Sequence, residues 1–167
     1  MNNIVSFLRD TKSIGELSEL IVAFALSQAG YFVSKPLGEN ARYDLVIDKD
    51  GMLSRVQVKT GRLRNGAILF NTYSSHSHRH GVSCRPYTNE IEFFGVYCPQ
   101  LRSVYLIPIE DTAKLSGTIR VNETKNRQHS QVRWAQPYLI DIVSIPEVVV
   151  GPATLNGVTD SSPRAPS

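Results

Sequence analysis

Long apolar runs are missing from this 167-residue sequence. No stretch approaches the roughly 18 consecutive apolar residues that a membrane-spanning helix needs. The opening residues, MNNIVSFLRDTKS, also lack the basic segment followed by an uninterrupted apolar stretch that marks a secretion signal. We therefore expect a soluble, cytoplasmic protein with no membrane partner.

The sequence also has few cysteines and a small net charge. The two cysteines, Cys84 and Cys98, fall in a loop-like stretch and in an expected strand, and their placement gives no disulfide framework of the secreted kind. A reducing compartment fits this pattern. Eighteen Lys and Arg against fifteen Asp and Glu leave a net charge of +3. Such a charge permits a polyanionic partner without requiring one.

What the sequence does contain is enough apolar material for one folded domain. Hydrophobic residues make up 41% of the chain, which suffices for one core at this length. We assign that domain to residues 1–150. The remainder, 151–167, reads GPATLNGVTDSSPRAPS, and its Gly, Pro and Ser content predicts a disordered tail.

A helix is predicted over residues 13–28, with Gly30 as its stop. Ser13 and Glu16 match a capping box at the start of this segment. The apolar residues at helical spacing are Leu17, Leu20, Ile21, Phe24 and Ala25.

Several shorter segments have the composition of strands. They are GYFVSKP, AILFNTY, FFGVYCP and SVYLIPI. The segment SSHSHRHGVSCRP at 74–86 is polar and unperiodic, so we expect a mobile loop there. Its histidines, His76, His78 and His80, alternate, but in a flexible loop this favours no specific metal site.

The segment at 42–64 holds the strongest signal. Two β-rich runs, YDLVID and LSRVQVKT, are separated by KDGM, and Asp-Gly is the strongest short hairpin signal. With this pair as a two-residue turn, Asp44 lies opposite Gln57, and Lys59 is a diagonal neighbour at roughly 7 to 8 Å. The opposite, core-facing side receives Tyr43, Leu45, Ile47, Val56 and Val58.

An acid, an amide oxygen and an ammonium on one patch are suited to phosphodiester cleavage. Mg²⁺ takes oxygen ligands and uses few protein carboxylates. Asp44 would be its anionic ligand, with the Gln57 amide oxygen and the Val58 carbonyl as neutral ones. Lys59 would orient the attacking water or offset charge on the phosphate. The alternative interpretation is the solvated face of an ordinary amphipathic strand.

Three segments carry a resemblance to a known family. GELSELIVAFALSQAGYFV, GENARYDLVID and RVQVKTGRLR resemble the PD-(D/E)XK nuclease superfamily, and within it the small group I intron homing endonucleases. The resemblance implies an α/β restriction-endonuclease-like core, in which a mixed four- or five-stranded sheet is flanked by helices. It also implies an active site of Glu16, Asp44, Gln57 and Lys59, with Glu16 among the metal ligands. Gln57 stands where most members carry Glu or Asp, although the intron-encoded branch resembles this sequence in having Gln.

The resemblance implies a Mg²⁺-dependent endonuclease acting on double-stranded DNA, with Mn²⁺ as a substitute ion and intron homing as its biology. Two alternatives stay open. One is a structure-selective nuclease similar to archaeal Holliday junction resolvases. The other is a DNA-binding module with a decayed site, against which the intact Asp44 and Lys59 argue.

Basic side chains near the hairpin are the expected DNA contacts. We assign phosphate contacts to Arg62, Arg64, Arg79 and Arg85, with a solvated surface as the alternative. Because one such site cuts one strand at a time, double-strand cleavage implies a homodimer or a larger homo-oligomer. Exposed edges of the FFGVYCP and SVYLIPI strands are candidate contact surfaces between subunits.

Overall fold

The computed structural model describes residues 11–38, 40–78, 81–123 and 132–141, with the backbone alone at 76–78 and 82. The predicted tail at 151–167 and the predicted DNA contact Arg79 lie outside the described residues, as do the side chains of the alternating histidines. Within these ranges one α-helix precedes eleven strands. They are α1 (Thr11–Gln28), β1 (Phe32–Ser34), β2 (Leu45–Lys49), β3 (Met52–Thr60), β4 (Arg62–Arg64), β5 (Ala67–Phe70), β6 (Tyr73–His78), β7 (Gly81–Pro86), β8 (Phe93–Cys98), β9 (Ser103–Pro108), β10 (Gly117–Arg120) and β11 (Leu139–Ile140).

A six-stranded mixed sheet organises the molecule, in the order β1-β2-β3-β8-β9-β11. The β3–β8 pair is parallel, and its neighbours in the sheet pair antiparallel. The predicted mixed-sheet fold is confirmed, with six strands rather than four or five because the short β1 and β11 extend its two edges. No described helix is both long and apolar enough to cross a membrane.

Each face of this sheet is covered by a different kind of element. The helix α1 packs on one face, and its cluster contains Val22, Ala25, Leu26, Leu45, Ile47, Val56, Val58, Val104 and Leu106. A second sheet, in the order β10-β5-β4, covers the other face through Ile68, Phe70 and Ile119, which pack against Phe94, Val96 and Ile107. Tyr43 was predicted to share the face of Leu45 and Ile47, but it packs in this second cluster. The reason is that β2 begins only at Leu45, so its alternation does not extend to Tyr43.

The helix includes residues before the predicted start at residue 13. Helical structure is already present at Thr11, so Ser13 lies within the helix and not at its N-cap position. The capping-box interpretation of Ser13 and Glu16 is therefore wrong.

The buried face of α1 is also rotated relative to the predicted one. Leu20 and Phe24 are 69% and 41% exposed, whereas the buried positions are Ser18, Val22, Ala25 and Leu26. The cause lies in the sheet, where β8 carries a glycine at the contact. A Cβ on Gly95 would lie 2.7 Å from Val22 Cγ1, so the missing side chain lets the helix approach closely at Val22.

One prediction about the strands is wrong, and a second is wrong for one of its two strands. In the segment at 74–86 the described residues do not form a loop but the paired strands β6 and β7, in which Ser74 pairs with Arg85. Its polar residues give no apolar alternation, although the backbone pairing needs none. The strand β8 offers no exposed edge for subunit contact, because it lies between β3 and β9. The strand β9 pairs with β11 only at Val104 and Tyr105, so the rest of its outer edge stays a candidate surface for subunit contact.

Candidate active site

The turn between β2 and β3 sets the register of the hairpin. Asp50 and Gly51 both have positive φ, 54° and 81°, as a two-residue type I′ turn requires. The Gly51 N–H also donates to Asp48 Oδ1 at 3.0 Å. Lys49 consequently pairs with Met52, which is the predicted register.

That register brings Asp44 and Gln57 into direct contact. The Asp44 backbone N–H donates to the Val56 carbonyl at 2.9 Å, which continues the antiparallel pairing past the end of β2. The Asp44 side chain then accepts two hydrogen bonds at Oδ2, from Gln57 Nε2 at 2.5 Å and from the Val58 backbone N–H at 2.7 Å. The predicted juxtaposition of Asp44 and Gln57 is present in the structure.

Asp44 lies in an environment that disfavours its charge. Burial raises the pKa of Asp44 to about 6. The negative charge of Glu19 adds to this effect, while the hydrogen bond from Val58 and the charges of Lys59 and Lys35 oppose it. The ionised carboxylate is therefore incompletely neutralised by the protein groups around it.

Lys59 shares this face of β3 and is itself partly buried. Burial lowers the pKa of Lys59, the charge of Arg42 lowers it further, and the charge of Asp44 raises it. The ammonium donates to the Tyr87 hydroxyl, with 3.2 Å between Nζ and Oη. Lys59 is thus an internal cation within electrostatic range of Asp44.

The helix places two carboxylates near this hairpin. Glu16 and Glu19 line one open cleft of about 440 Å³, together with Lys35 and Leu45. Glu19 is bound to Lys35, with 2.7 Å between Oε2 and Nζ, and its negative charge raises the pKa of Asp44. Glu16 is exposed on the same cleft. The structure thus favours Glu19 as the helical neighbour of Asp44, and a role for Glu16 stays a prediction.

Two residues that the sequence reasoning missed complete the surroundings of Lys59. Tyr87 is 5% exposed, and the Arg42 guanidinium stacks over its ring at 4.4 Å from the centroid. Arg42 lies outside β2, which begins only at Leu45, so strand alternation gave no signal for its position. Tyr87 lies far along the chain in a segment without periodicity, and no sequence signal pointed to it.

A protein-family model matches most of the chain. The model described as PD-(D/E)XK endonuclease matches residues 9–141, which include α1, the β2–β3 hairpin and the rest of the large sheet. The chain belongs to the PD-(D/E)XK endonuclease family. As a member, it is a nuclease, and DNA is the substrate that this family implies.

Two known proteins are similar to this PD-(D/E)XK nuclease. The structure of I-Ssp6803I, described as a bacterial homing endonuclease, matches with a TM-score of 0.61 and 26% sequence identity, over 78% of this chain and 88% of that one. "Protein 5.3" of Escherichia phage T7 is 48% identical over 46 residues, which are 28% of this chain. The match spans 39% of the phage protein's length.

The donor set of this nuclease fits a hard divalent cation. PD-(D/E)XK nucleases generally use divalent metals. In the described part of the chain, no group of three or more His, Cys, Asp or Glu side chains converges as a metal site. The patch offers instead one incompletely neutralised carboxylate, that of Asp44, which accepts hydrogen bonds from the Gln57 amide and the Val58 N–H. Mg²⁺ accepts such a set because it retains several waters.

The predicted DNA contacts separate into two groups in the nuclease. Arg85 forms a salt bridge with Glu90, and Glu90 also binds Arg42 at 2.7 Å, which connects Arg85 to the Lys59 surroundings. Arg62 and Arg64 are exposed on β4 and line a separate open cleft of about 560 Å³.

Proposed function

We propose that this nuclease is a Mg²⁺-dependent endodeoxyribonuclease that cuts double-stranded DNA at specific sites, as a homing endonuclease does. The observation that carries the proposal is the contact of Asp44 with Gln57 and Val58, on the same hairpin face as the partly buried Lys59. The similarity to a bacterial homing endonuclease over 78% of the chain supports homing as the biological role.

We assign metal binding to the hairpin and to one helical carboxylate. Asp44 supplies the anionic oxygen, and the Gln57 amide oxygen and the Val58 carbonyl supply neutral ones. Glu16 was the predicted helical ligand, and the influence of the Glu19 charge on Asp44 makes Glu19 the favoured one. A bound Mg²⁺, or Mn²⁺ in its place, would polarise the phosphodiester and make water a better nucleophile.

Lys59 supplies the positive charge that acts on the attacking water or on the phosphate of the substrate. Its ammonium would orient the attacking water or offset the negative charge that builds on the pentacovalent phosphate. The partial burial of Lys59 strengthens such an interaction, because Coulomb energies rise as water is excluded.

For cleavage of both strands we propose a homodimer or a larger homo-oligomer with symmetric half-sites in the DNA. Sedimentation of the active protein on duplex DNA tests this directly. A strict monomer at micromolar concentration that still cuts both strands would contradict it.

The function is tested by offering two DNA shapes to the same protein, with and without Mg²⁺. One substrate is a set of long linear duplexes, and the other is a four-way junction whose arms carry the same sequences. We expect cutting at discrete duplex sites that requires Mg²⁺ and does not depend on branching. Cleavage restricted to the junction would favour the resolvase-like alternative. Binding without cleavage of either substrate, with Mg²⁺ or Mn²⁺, would favour the decayed DNA-binding module.

A further inference from the structure

Tyr87 is a buried tyrosine placed against the active-site lysine. It directly follows β7 and is 5% exposed. Its hydroxyl accepts a hydrogen bond from Lys59 Nζ at 3.2 Å, and the same ammonium lies 4.8 Å from the ring centroid. Lys59 therefore meets both the polar tip and the electron-rich ring of one side chain.

The ring is held by groups on other elements. The Arg42 guanidinium lies over it at 4.4 Å from the centroid, and Phe94 of β8 meets it edge-on at 5.8 Å. Arg42 is in turn fixed by the Ser74 hydroxyl at 2.6 Å and the Pro86 carbonyl at 3.2 Å, one at each side of the β6–β7 hairpin base. The position of Tyr87 is thus set by the packing of the sheet and of that hairpin.

A lysine needs such a partner if its ammonium is to act at one place. Its side chain has four flexible carbons, and fixing it costs up to about 2 kcal/mol of rotamer entropy. Gln57 and Lys59 of β3 pair with Phe94 and Val96 of the parallel strand β8. Phe94 and Val96 offer the ammonium no polar side-chain atom. A fixed phenol restricts the ammonium while keeping it hydrogen-bonded.

We infer that Tyr87 is a positioning residue, which holds the Lys59 ammonium over the Asp44 patch through its hydroxyl and its ring. This role rests on the proposed function, because it presupposes that Lys59 acts on the phosphodiester. Tyr87 itself need not touch the DNA.

The test compares three tyrosine variants by single-turnover cleavage at saturating DNA and Mg²⁺. Tyr87→Phe removes the hydroxyl and keeps the ring, whereas Tyr87→Leu removes both. Tyr105→Phe is the matched control, because Tyr105 is 4% exposed in the same core cluster and lies on β9. We expect the cleavage rate to fall about 10-fold for Tyr87→Phe and about 100-fold for Tyr87→Leu, and to stay at the parental value for Tyr105→Phe. The Kd for DNA and the Tm of Tyr87→Phe should match those of the parent.

A second measurement separates positioning from a general effect on the fold. In a Lys59→Ala background, Tyr87→Phe should cause no further loss of the residual cleavage, since its effect passes through Lys59. An equal loss in both backgrounds would overturn the inference, as would parental cleavage by both Tyr87 variants. These results would leave the proposed function intact if Lys59→Ala alone has lost most of its cleavage. Parental cleavage by Lys59→Ala would instead refute the proposed function, and with it the role of Tyr87.

Discussion

At the scale of single residues, the carboxyl group of Asp44 is the most informative. Burial raises its pKa from 3.8 to about 6, so the folded protein binds the proton of this carboxyl group more tightly than the unfolded chain does. The stability that this group contributes is complete below pH 3.8 and is lost as the pH rises through about 6. In metal-free protein at neutral pH, ionised Asp44 therefore destabilises the fold.

We predict that Asp44→Asn raises the Tm of the metal-free protein above pH 6. A pKa difference of this size corresponds to roughly 2 to 3 kcal/mol, or several degrees in Tm. The Tm difference between variant and parent should widen from pH 4 to pH 7 in thermal denaturation. Added Mg²⁺ should raise the Tm of the parent and leave that of Asp44→Asn unchanged. A variant that is less stable than the parent at pH 8 without metal would contradict this account.

Gln57 is the residue at which the sequence departs from most of its superfamily. Gln57 Nε2 donates to Asp44, so Gln57→Glu replaces this hydrogen bond by two adjacent carboxylates. We predict that the variant still cleaves DNA and reaches half-maximal rate at a lower Mg²⁺ concentration than the parent. The measurement is a Mg²⁺ titration of the single-turnover rate, with Gln57→Ala to show the effect of losing the amide alone. An increased Mg²⁺ requirement in Gln57→Glu would show that the added charge misplaces the ion.

At the scale of elements, the β2–β3 hairpin could be predicted closely, whereas the buried face of the helix could not. The Asp-Gly turn fixes a register locally, and that register determines which side chains face each other across the hairpin. The buried face of α1 depends instead on Gly95, which is distant in sequence and admits Val22 to the sheet. The same non-local origin explains why Tyr87 was missed.

The polar β6–β7 hairpin shows a further limit of predicting strands from apolar patterns in a sequence. Its strands pair through the backbone from Tyr73 with Pro86 to His78 with Gly81. Neither strand has an alternating apolar row in its sequence, so the period of two that identifies a strand is missing. Arg42 binds Ser74 and Pro86 at its base, and this support comes from a different part of the chain.

The helix supplies a prediction that separates its two candidate carboxylates. Because Glu19 influences Asp44 whereas Glu16 is exposed, Glu19→Gln should lower single-turnover cleavage more than Glu16→Gln does, by about 10-fold or more. The two variants remove the same charge from the same helix and are matched controls for each other. A larger loss in Glu16→Gln would restore the original sequence-based assignment.

At the scale of the whole molecule, the described arginines that we predict to contact DNA lie on two surfaces, and salt dependence can show which of these surfaces meets DNA. Removing one arginine that binds a phosphate should reduce the magnitude of the slope of log K against log salt by about 0.9. We predict this reduction for Arg85→Gln, Arg62→Gln and Arg64→Gln. Arg102→Gln, in the exposed turn between β8 and β9, is the control that removes the same charge. Unchanged slopes in the first three variants would assign those arginines to the solvated surface.

The central claim is that the polar face of the β2–β3 hairpin performs phosphodiester hydrolysis. The most direct test is single-turnover cleavage, with Mg²⁺, of a duplex that the parent protein cuts, using Asp44→Asn and Lys59→Ala. Asp44→Asn removes the anionic metal ligand and relieves its repulsion with phosphate, so cleavage should fall by orders of magnitude while DNA binding is kept or tightened. Lys59→Ala should also lower turnover by orders of magnitude with the metal still bound. Cleavage at the parental rate by both folded variants would contradict the account, because Asp44 and Lys59 would then only be part of a solvated strand face.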